Sequence, residues 1–326
     1  MKVLSILFVA FCFVFTISCG EPSVPKSNSI TTVANANSAA PSPIPTPNEI
    51  LTAELRKIAD EAQGKVGVHA VLLETGETVS LNADERFAMQ SVVKVPISMA
   101  VIQKAVAGEL DLDEKIKVGT DELVTTRMHS PFRDKNPNGG ETTIRELIEL
   151  AVSVSDGTAA DVLQRVAGGA EGVQSYIDSL GIDAMKVRYT HKEFSNNNER
   201  QYENWATPKA AVQLLHSLWK QKGTAEPGDE AREKELLLLS FMYDTPTGPN
   251  RLKGLLPKGT LVAHKTGSSG TVDGVTTATN DVGIVIMPDG RQFIIAVFVG
   301  DSRADEKTRE AVIAKSAKAV WDAWLN

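Results

Sequence analysis

Ser91-Val92-Val93-Lys94-Val95-Pro96-Ile97-Ser98-Met99-Ala100-Val101-Ile102-Gln103-Lys104-Ala105-Val106-Ala107 is apolar on nearly every side when wound into a helix. A helix of that kind belongs inside a core, with the rest of the domain packed around it. Its opening turn departs from the apolar composition. Ser91 and Lys94 are three residues apart, so a helical turn places a hydroxyl and an amine on one face. An alcohol is a weak nucleophile at neutral pH, and a neighbouring amine activates it only where the surroundings hold that amine neutral. Unpaired backbone N–H groups at a helix start can also stabilise the oxyanion of an attacked carbonyl. Pro96 cannot donate to the carbonyl of Val92, so the first turns should tighten or bend. The spacing alone proves little, since Ser23/Lys26 and Ser217/Lys220 repeat it with no chemistry around them.

Working outward toward the N-terminus, Val66 to Leu73 and Thr78 to Leu81 read as strands joined at Glu74-Thr75-Gly76-Glu77. Ile50 to Ala62 is a helix with Leu51, Leu55, Ile58 and Ala62 on one face. Toward the C-terminus the pattern is first helical. Thr143-Ile144-Arg145-Glu146 is a capping box, placing Ile144, Leu147, Ile148, Ala151 and Val154 inward. Thr158-Ala159-Ala160-Asp161 should open the next helix in the same way, with Ser155-Asp156-Gly157 as the turn between them. Thr207-Pro208 starts another helix, and Gly223 ends it. From Leu261 the chain turns to strand: Leu261 to Thr266, Val275 to Thr279, Val282 to Met287 and Phe293 to Val299, with Pro288-Asp289-Gly290 as a tight turn. The closing helix, Asp305 to Leu325, faces Ile313, Ala317, Val320 and Trp324 inward.

This order predicts a two-lobe α/β architecture of the α+β kind. An antiparallel sheet of about five strands from both chain ends, flanked by helices, forms one lobe (about 49–85 and 246–326). An all-helical lobe (about 86–245) forms the other, and a cleft between lobes is a usual place for a small-molecule site. With 326 residues, 42% hydrophobic and 23% charged, the chain is long enough for a sizeable core. A net charge of −7 with scattered basic residues argues against nucleic acid and against a polybasic membrane surface. The two cysteines, Cys12 and Cys19, leave the folded part without disulfide or thiolate site. The five histidines show no paired ligand spacing, so no metal is expected.

The first residues have another destination. Lys2 followed by the apolar run Leu4 to Ile17 reads as a secretory signal, and Thr16-Ile17-Ser18-Cys19-Gly20 resembles a bacterial lipoprotein processing site. Residues 1–19 are therefore read as a signal ending at a lipidated Cys19. Residues 20–48, rich in Ser, Pro and Asn, are read as a tether, and residues 49–326 as a catalytic domain. The expected location is exported, periplasmic or cell-envelope, anchored to a membrane by lipid.

Three motifs stand in order: Ser91-x-x-Lys94 at a helix start, Ser155-Asp156-Gly157 in a helix turn, and Lys265-Thr266-Gly267 at a strand end. Together they resemble the class A serine β-lactamases and the related penicillin-binding proteins. The resemblance covers nearly all of residues 50 to 325. Gln201-Tyr202-Glu203-Asn204-Trp205 and Thr279-Asn280-Asp281-Val282-Gly283 are similar to the branch that includes extended-spectrum enzymes. The resemblance implies a cofactor-free monomer that opens β-lactam rings through an acyl-enzyme on Ser91, with Lys94 assisting proton removal. Ser155 would relay a proton to the leaving nitrogen, and Lys265 would hold Ser155 and the substrate carboxylate. Thr266 and Ser268 would hydrogen-bond that carboxylate, with Asp156, Gly157 and Gly267 completing the binding motifs. The N–H groups of Ser91 and Ser268 would form the oxyanion hole. A penicillin-binding sensor that stays acylated and a D-alanyl-D-alanine peptidase are the alternatives.

Two departures qualify the match. Gly157 stands where an Asn usually holds the substrate's acylamide, and the family's deacylating Glu falls on His191, with Ser195 in place of the water-holding Asn. His191 and Glu193 are the two candidate bases. Glu193 is the favoured one, because a carboxylate beside Lys94 could share a proton with the amine.

Overall fold

The computed structural model describes residues 46–221 and 230–325. The signal, lipidation and tether assignments up to residue 45 lie outside the described residues, as does Gly223. Pro45–Asn326 forms one compact unit.

Its first helix, Pro47–Asp60, begins earlier than the sequence suggested, and Thr46–Asn48 belong to the domain rather than to the tether. The reason is local: Thr46 Oγ1 accepts from the Glu49 N–H while the Glu49 carboxylate accepts from the Thr46 N–H at 2.7 Å, a capping box with proline at the first helical position.

The main sheet runs in the order Thr78–Leu81, Lys65–Leu72, Gln292–Ser302, Val275–Ile286, Val262–Ser268, with the two-residue strand Thr271–Val272 pairing beside it. Its neighbours are antiparallel, and the register Lys65↔Gly300 to Leu72↔Phe293 zips the two chain ends together. One face packs on the first and last helices, where Phe293 meets Trp324 edge-on at 5.6 Å between ring centroids. The other face packs toward the helical lobe through Ile284, Ile294, Ala296 and Phe298. Both faces are therefore covered.

The expected strands Val275–Thr279 and Val282–Met287 are one continuous strand, Val275–Ile286. The polar pair Asn280-Asp281 looked like a break, yet both side chains are fully buried with partners. Asn280 Nδ2 donates to the carbonyls of Ala88 (2.9 Å) and Met89 (3.2 Å), and Asp281 accepts from His264 Nδ1 and from the Leu252 N–H. A buried polar group that is hydrogen-bonded need not interrupt a strand.

At the centre of the helical lobe, Lys94–Val106 buries Val95, Ile97, Met99, Val101, Ile102 and Ala105. The box at Thr143 and Glu146 opens Ile144–Val152 as expected, although that helix ends before Val154. The next helix, Gly157–Val166, corrects the sequence assignment. Its cap is Asp156, which accepts the Ala159 N–H at 2.9 Å, and Thr158 is a fully buried residue inside the first turn. Asp outcompetes Thr at this end because its second oxygen also accepts the Phe132 N–H at 2.6 Å. Pro208–Gln221 follows its Thr207 cap, whose hydroxyl accepts from the Ala210 N–H.

Replacing Asn280 with Ala leaves the carbonyls of Ala88 and Met89 without their side-chain donor. The variant should lose about 1–3 kcal/mol of stability in urea or thermal unfolding; an unchanged midpoint would show that the amide is not a tie between the sheet and the segment leading to Ser91.

Candidate active site

Ser91 does not lie in the α-helix itself. Residues Gln90–Val93 form a 3₁₀ turn and the α-helix begins at Lys94, so the serine and lysine straddle the junction. Pro96 explains the tightening: with no N–H to offer the carbonyl of Val92, the chain instead closes from the Lys94 N–H onto Ser91 and Val92. The segment is held from both sides. Met89 N–H donates to the Asn204 carbonyl at 2.9 Å, and Gln90, left-handed at φ 48°, donates from Nε2 to Gln201 Oε1 at 2.5 Å. From below, Gly267 lets the strand approach: a Cβ there would fall 2.5 Å from the Met89 carbonyl oxygen. Gly267 thus acts as a spacer rather than as a ligand for substrate.

Lys94 is only 1% exposed. Its Nζ lies 3.0 Å from Ser91 Oγ, 2.7 Å from the Ser155 carbonyl and 3.2 Å from Ser155 Oγ. Burial lowers its pKa to about 7, against the opposing pull of Asp156 and Asp161. A neutral Lys94 fits these contacts well. Its two N–H bonds serve the two Ser155 oxygens, and its lone pair accepts the Ser91 proton.

Ser155 sits in the left-handed region at φ 63°, a conformation that costs energy for a residue with a Cβ. Asp156 and Lys265 hold it there. The Asp156 carboxylate is completely buried and binds Ser130 Oγ (2.8 Å) as well as the N–H groups of Phe132 and Ala159. Lys265 Nζ donates to Ser155 Oγ and to the Thr266 carbonyl, each at 3.0 Å. Burial first, and then the charge of Lys94, push the Lys265 pKa well down, with Asp281 pulling the other way.

The cleft at this network encloses about 750 Å³ and is lined by Ser91, Lys94, Ser155, Thr266 and Ser268 together with Arg251. Arg251 carries no motif that a single sequence could flag. It is 5% exposed, paired with Glu310 at 3.0 Å, and its Nη2 donates to Ser268 Oγ at 2.7 Å. Thr247 joins it by sharing a 2.9 Å hydrogen bond with Thr266.

Several expected site residues stand elsewhere. Asp156 and Gly157, read as substrate-binding, do not line the cleft. Asp156 is a scaffold carboxylate, and Gly157 is packed under the wall carrying Arg127, Met128 and His129, where its N–H donates to the His129 carbonyl at 2.9 Å. A Cβ at Gly157 would meet that carbonyl oxygen at 3.3 Å, so the glycine serves the approach of the wall. Lys265 is also fully buried, one layer beneath Ser155 and Thr266.

The assignment of Glu193 as the favoured base is corrected. Its exposed carboxylate is the acceptor of a capping box, bound to the Thr190 N–H (2.8 Å) and hydroxyl (2.9 Å) at the start of helix His191–Asn196, and it does not line the cleft. His191 does not line the cleft either, but it is buried where Glu193 is exposed. It is 1% exposed, its Nδ1 lies 3.0 Å from Asp161 Oδ1, and burial together with the Lys94 charge lowers its pKa. Ser195 lines the cleft, and its hydroxyl donates to the Lys192 carbonyl at 2.8 Å.

The model of the β-lactamase enzyme family matches residues 50–324. β-Lactamase VEB-1 of Pseudomonas aeruginosa is 33% identical over 276 residues, 85% of this chain and 91% of the relative. The extended-spectrum β-lactamase PER-1 of the same organism is 34% identical over 272 residues, 83% and 86% of the two chains. Among solved structures, a β-lactamase from Chitinophaga pinensis is 40% identical with a TM-score of 0.80, covering 84% of this chain and 99% of its own. The TLA-1 extended-spectrum β-lactamase is 37% identical with a TM-score of 0.81, covering 86% and 100%.

Because only neutral Lys94 can take the Ser91 proton, acylation of Ser91 by an electrophilic carbonyl reagent should fall about tenfold per pH unit as pH drops below about 7. Rapid-quench intact mass measures it. A rate that is flat through this range would remove Lys94 from the proton-accepting role.

Proposed function

This chain belongs to the β-lactamase enzyme family, and from that premise we propose that it is a class A serine β-lactamase whose acyl-enzyme forms on Ser91. The observation that carries the assignment of residues is the shared network in which Lys94 reaches Ser91 Oγ at 3.0 Å while Lys94 and Lys265 both reach Ser155 Oγ, at 3.2 and 3.0 Å.

Acylation follows from that network. Lys94 takes the Ser91 proton as Oγ attacks the lactam carbonyl carbon, and the developing oxyanion is met by the backbone N–H groups of Ser91 and Ser268. As the C–N bond breaks, the leaving nitrogen takes a proton from Ser155, which recovers one from Lys94. Two amine donors occupy the lone pairs of Ser155 Oγ, so its own O–H is left to point at the nitrogen. The substrate carboxylate meets Thr266 and Ser268, with Arg251 and the buried Lys265 behind them supplying complementary charge. The acyl group then leaves Ser91 by hydrolysis.

Nitrocefin turnover well beyond one equivalent of protein is expected. Intact mass should gain one ring-opened β-lactam in wild type and none in Ser91→Ala. Adduct forming on Ser91→Ala at the wild-type rate would displace Ser91 as nucleophile.

Export is proposed as well, on sequence grounds: a positive start at Lys2, the apolar run Leu4 to Ile17 and the processing-site pattern ending at Cys19. Lipid on Cys19 would hold a monomeric enzyme at a membrane of the cell envelope. Cys19→Ala should abolish lipidation, read by mass spectrometry of the membrane fraction. Wild-type protein in the membrane fraction without lipid on Cys19 would refute the anchor.

A further inference from the structure

We infer that His191, held in place by Asp161, takes the proton from the hydrolytic water when the Ser91 acyl-enzyme is cleaved, standing where the family uses a carboxylate. This rests on the assignment of the chain as a serine β-lactamase.

The geometry is that of an oriented imidazole. Asp161 Oδ1 accepts both the His191 N–H (2.7 Å) and the ring Nδ1 (3.0 Å), and Asp161 Oδ2 accepts the Lys192 N–H at 2.9 Å. Three donors converge on one carboxylate, so backbone and ring are fixed together. Since a carboxylate only accepts, Nδ1 carries the hydrogen and Nε2 carries the lone pair. Nε2 is buried and has no hydrogen-bond partner among the described residues. A buried polar nitrogen calls for one, and water is a partner small enough to serve.

The ring lies behind the cleft wall rather than on it: Phe194, whose centroid is 5.1 Å from that of His191, lines the cleft, as do Ser195 and Asn196 from the same helix. The charged groups acting on the imidazole are Asp161, Lys94 and Lys265, two of which belong to the Ser91 network. Burial and the two lysines lower the His191 pKa, while Asp161 opposes them, so the ring is neutral at neutral pH and able to accept a proton.

The step balances without an outside reagent. The water oxygen bonds to the ester carbon of the acyl-enzyme as its proton passes to Nε2. The tetrahedral intermediate then collapses with cleavage of the carbon–Oγ bond, and the proton taken up by Nε2 is returned to Ser91 Oγ. Asp161 acts here as a positioning residue, since it touches the base and not the ester.

The test is single-turnover deacylation of preformed acyl-enzyme across pH, on the full domain. Wild-type deacylation should fall as pH drops through a limb below the ordinary histidine range. His191→Ala should still acylate Ser91 but deacylate about 100- to 10,000-fold more slowly, accumulating adduct by intact mass. Asp161→Asn, which keeps one accepting oxygen, should slow deacylation and move the acid limb to lower pH, because the influence that raises the His191 pKa is gone. A purely structural Asp161 would lower the rate with no movement of the limb. Glu193→Gln should deacylate like wild type. The inference is overturned if His191→Ala deacylates at the wild-type rate, if Glu193→Gln is the variant that accumulates adduct, or if the wild-type rate shows no acid limb. Wild type that never acylates on Ser91 would overturn the serine β-lactamase assignment itself, a different outcome from any of these.

Discussion

Two buried lysines share one serine hydroxyl, and much of the site depends on that arrangement. Lys94 and Lys265 are each almost wholly removed from water, and both donate to Ser155 Oγ. Two unit charges both hydrogen-bonded to one oxygen repel by about 3 kcal/mol or more at an effective dielectric of about 20, on top of the burial penalty for each. Both cannot comfortably stay protonated. In the proposed mechanism an arriving substrate carboxylate would favour charge on Lys265, next to Thr266, and so leave Lys94 as the neutral amine beside Ser91.

The surrounding fold keeps such a pair tolerable. Asp156 and Asp161 act on Lys94, and Asp281 acts on Lys265. None of these carboxylates lines the cleft, and each is committed to backbone donors that fix its position. The sheet contributes proximity. Gly267 brings its strand against the Met89 carbonyl, and Asn280 on the next strand ties to the same segment, so the 3₁₀ turn that carries Ser91 is clamped to the sheet. A site built this way is preorganised, which is where electrostatic catalysis gains most.

The loop bearing His191 follows the same logic with different parts. One buried carboxylate, Asp161, gathers two backbone N–H groups and a ring N–H, and so orders the start of a short helix against the catalytic lobe. Glu193, two residues on, is turned outward by the capping box at Thr190. Local capping thus decides which of the two ionisable side chains faces the interior.

The sequence by itself determined most elements and the chemistry carried by short spacing: the buried helix following Ser91, though not the 3₁₀ form of its first turn, the capping box at Thr143, the hairpin at Pro288-Asp289-Gly290, and the three motifs in order. These depend on local backbone preference and on periodicity, which a few neighbouring residues encode. The family followed from the motifs together. Tertiary structure decided the rest. Whether Asn280-Asp281 breaks a strand depends on partners at Ala88, Met89 and His264, up to 192 residues away. Whether Thr158 or Asp156 caps depends on Phe132 and Ser130 from another segment. Arg251 joins the site only because two strands carry Ser268 and Asn280 to its guanidinium. The choice between His191 and Glu193 was closed to the sequence for the same reason: a side chain's direction and pKa are set by what folding packs around it, here Asp161 and Lys94, from helices 30 and 97 residues earlier in the chain.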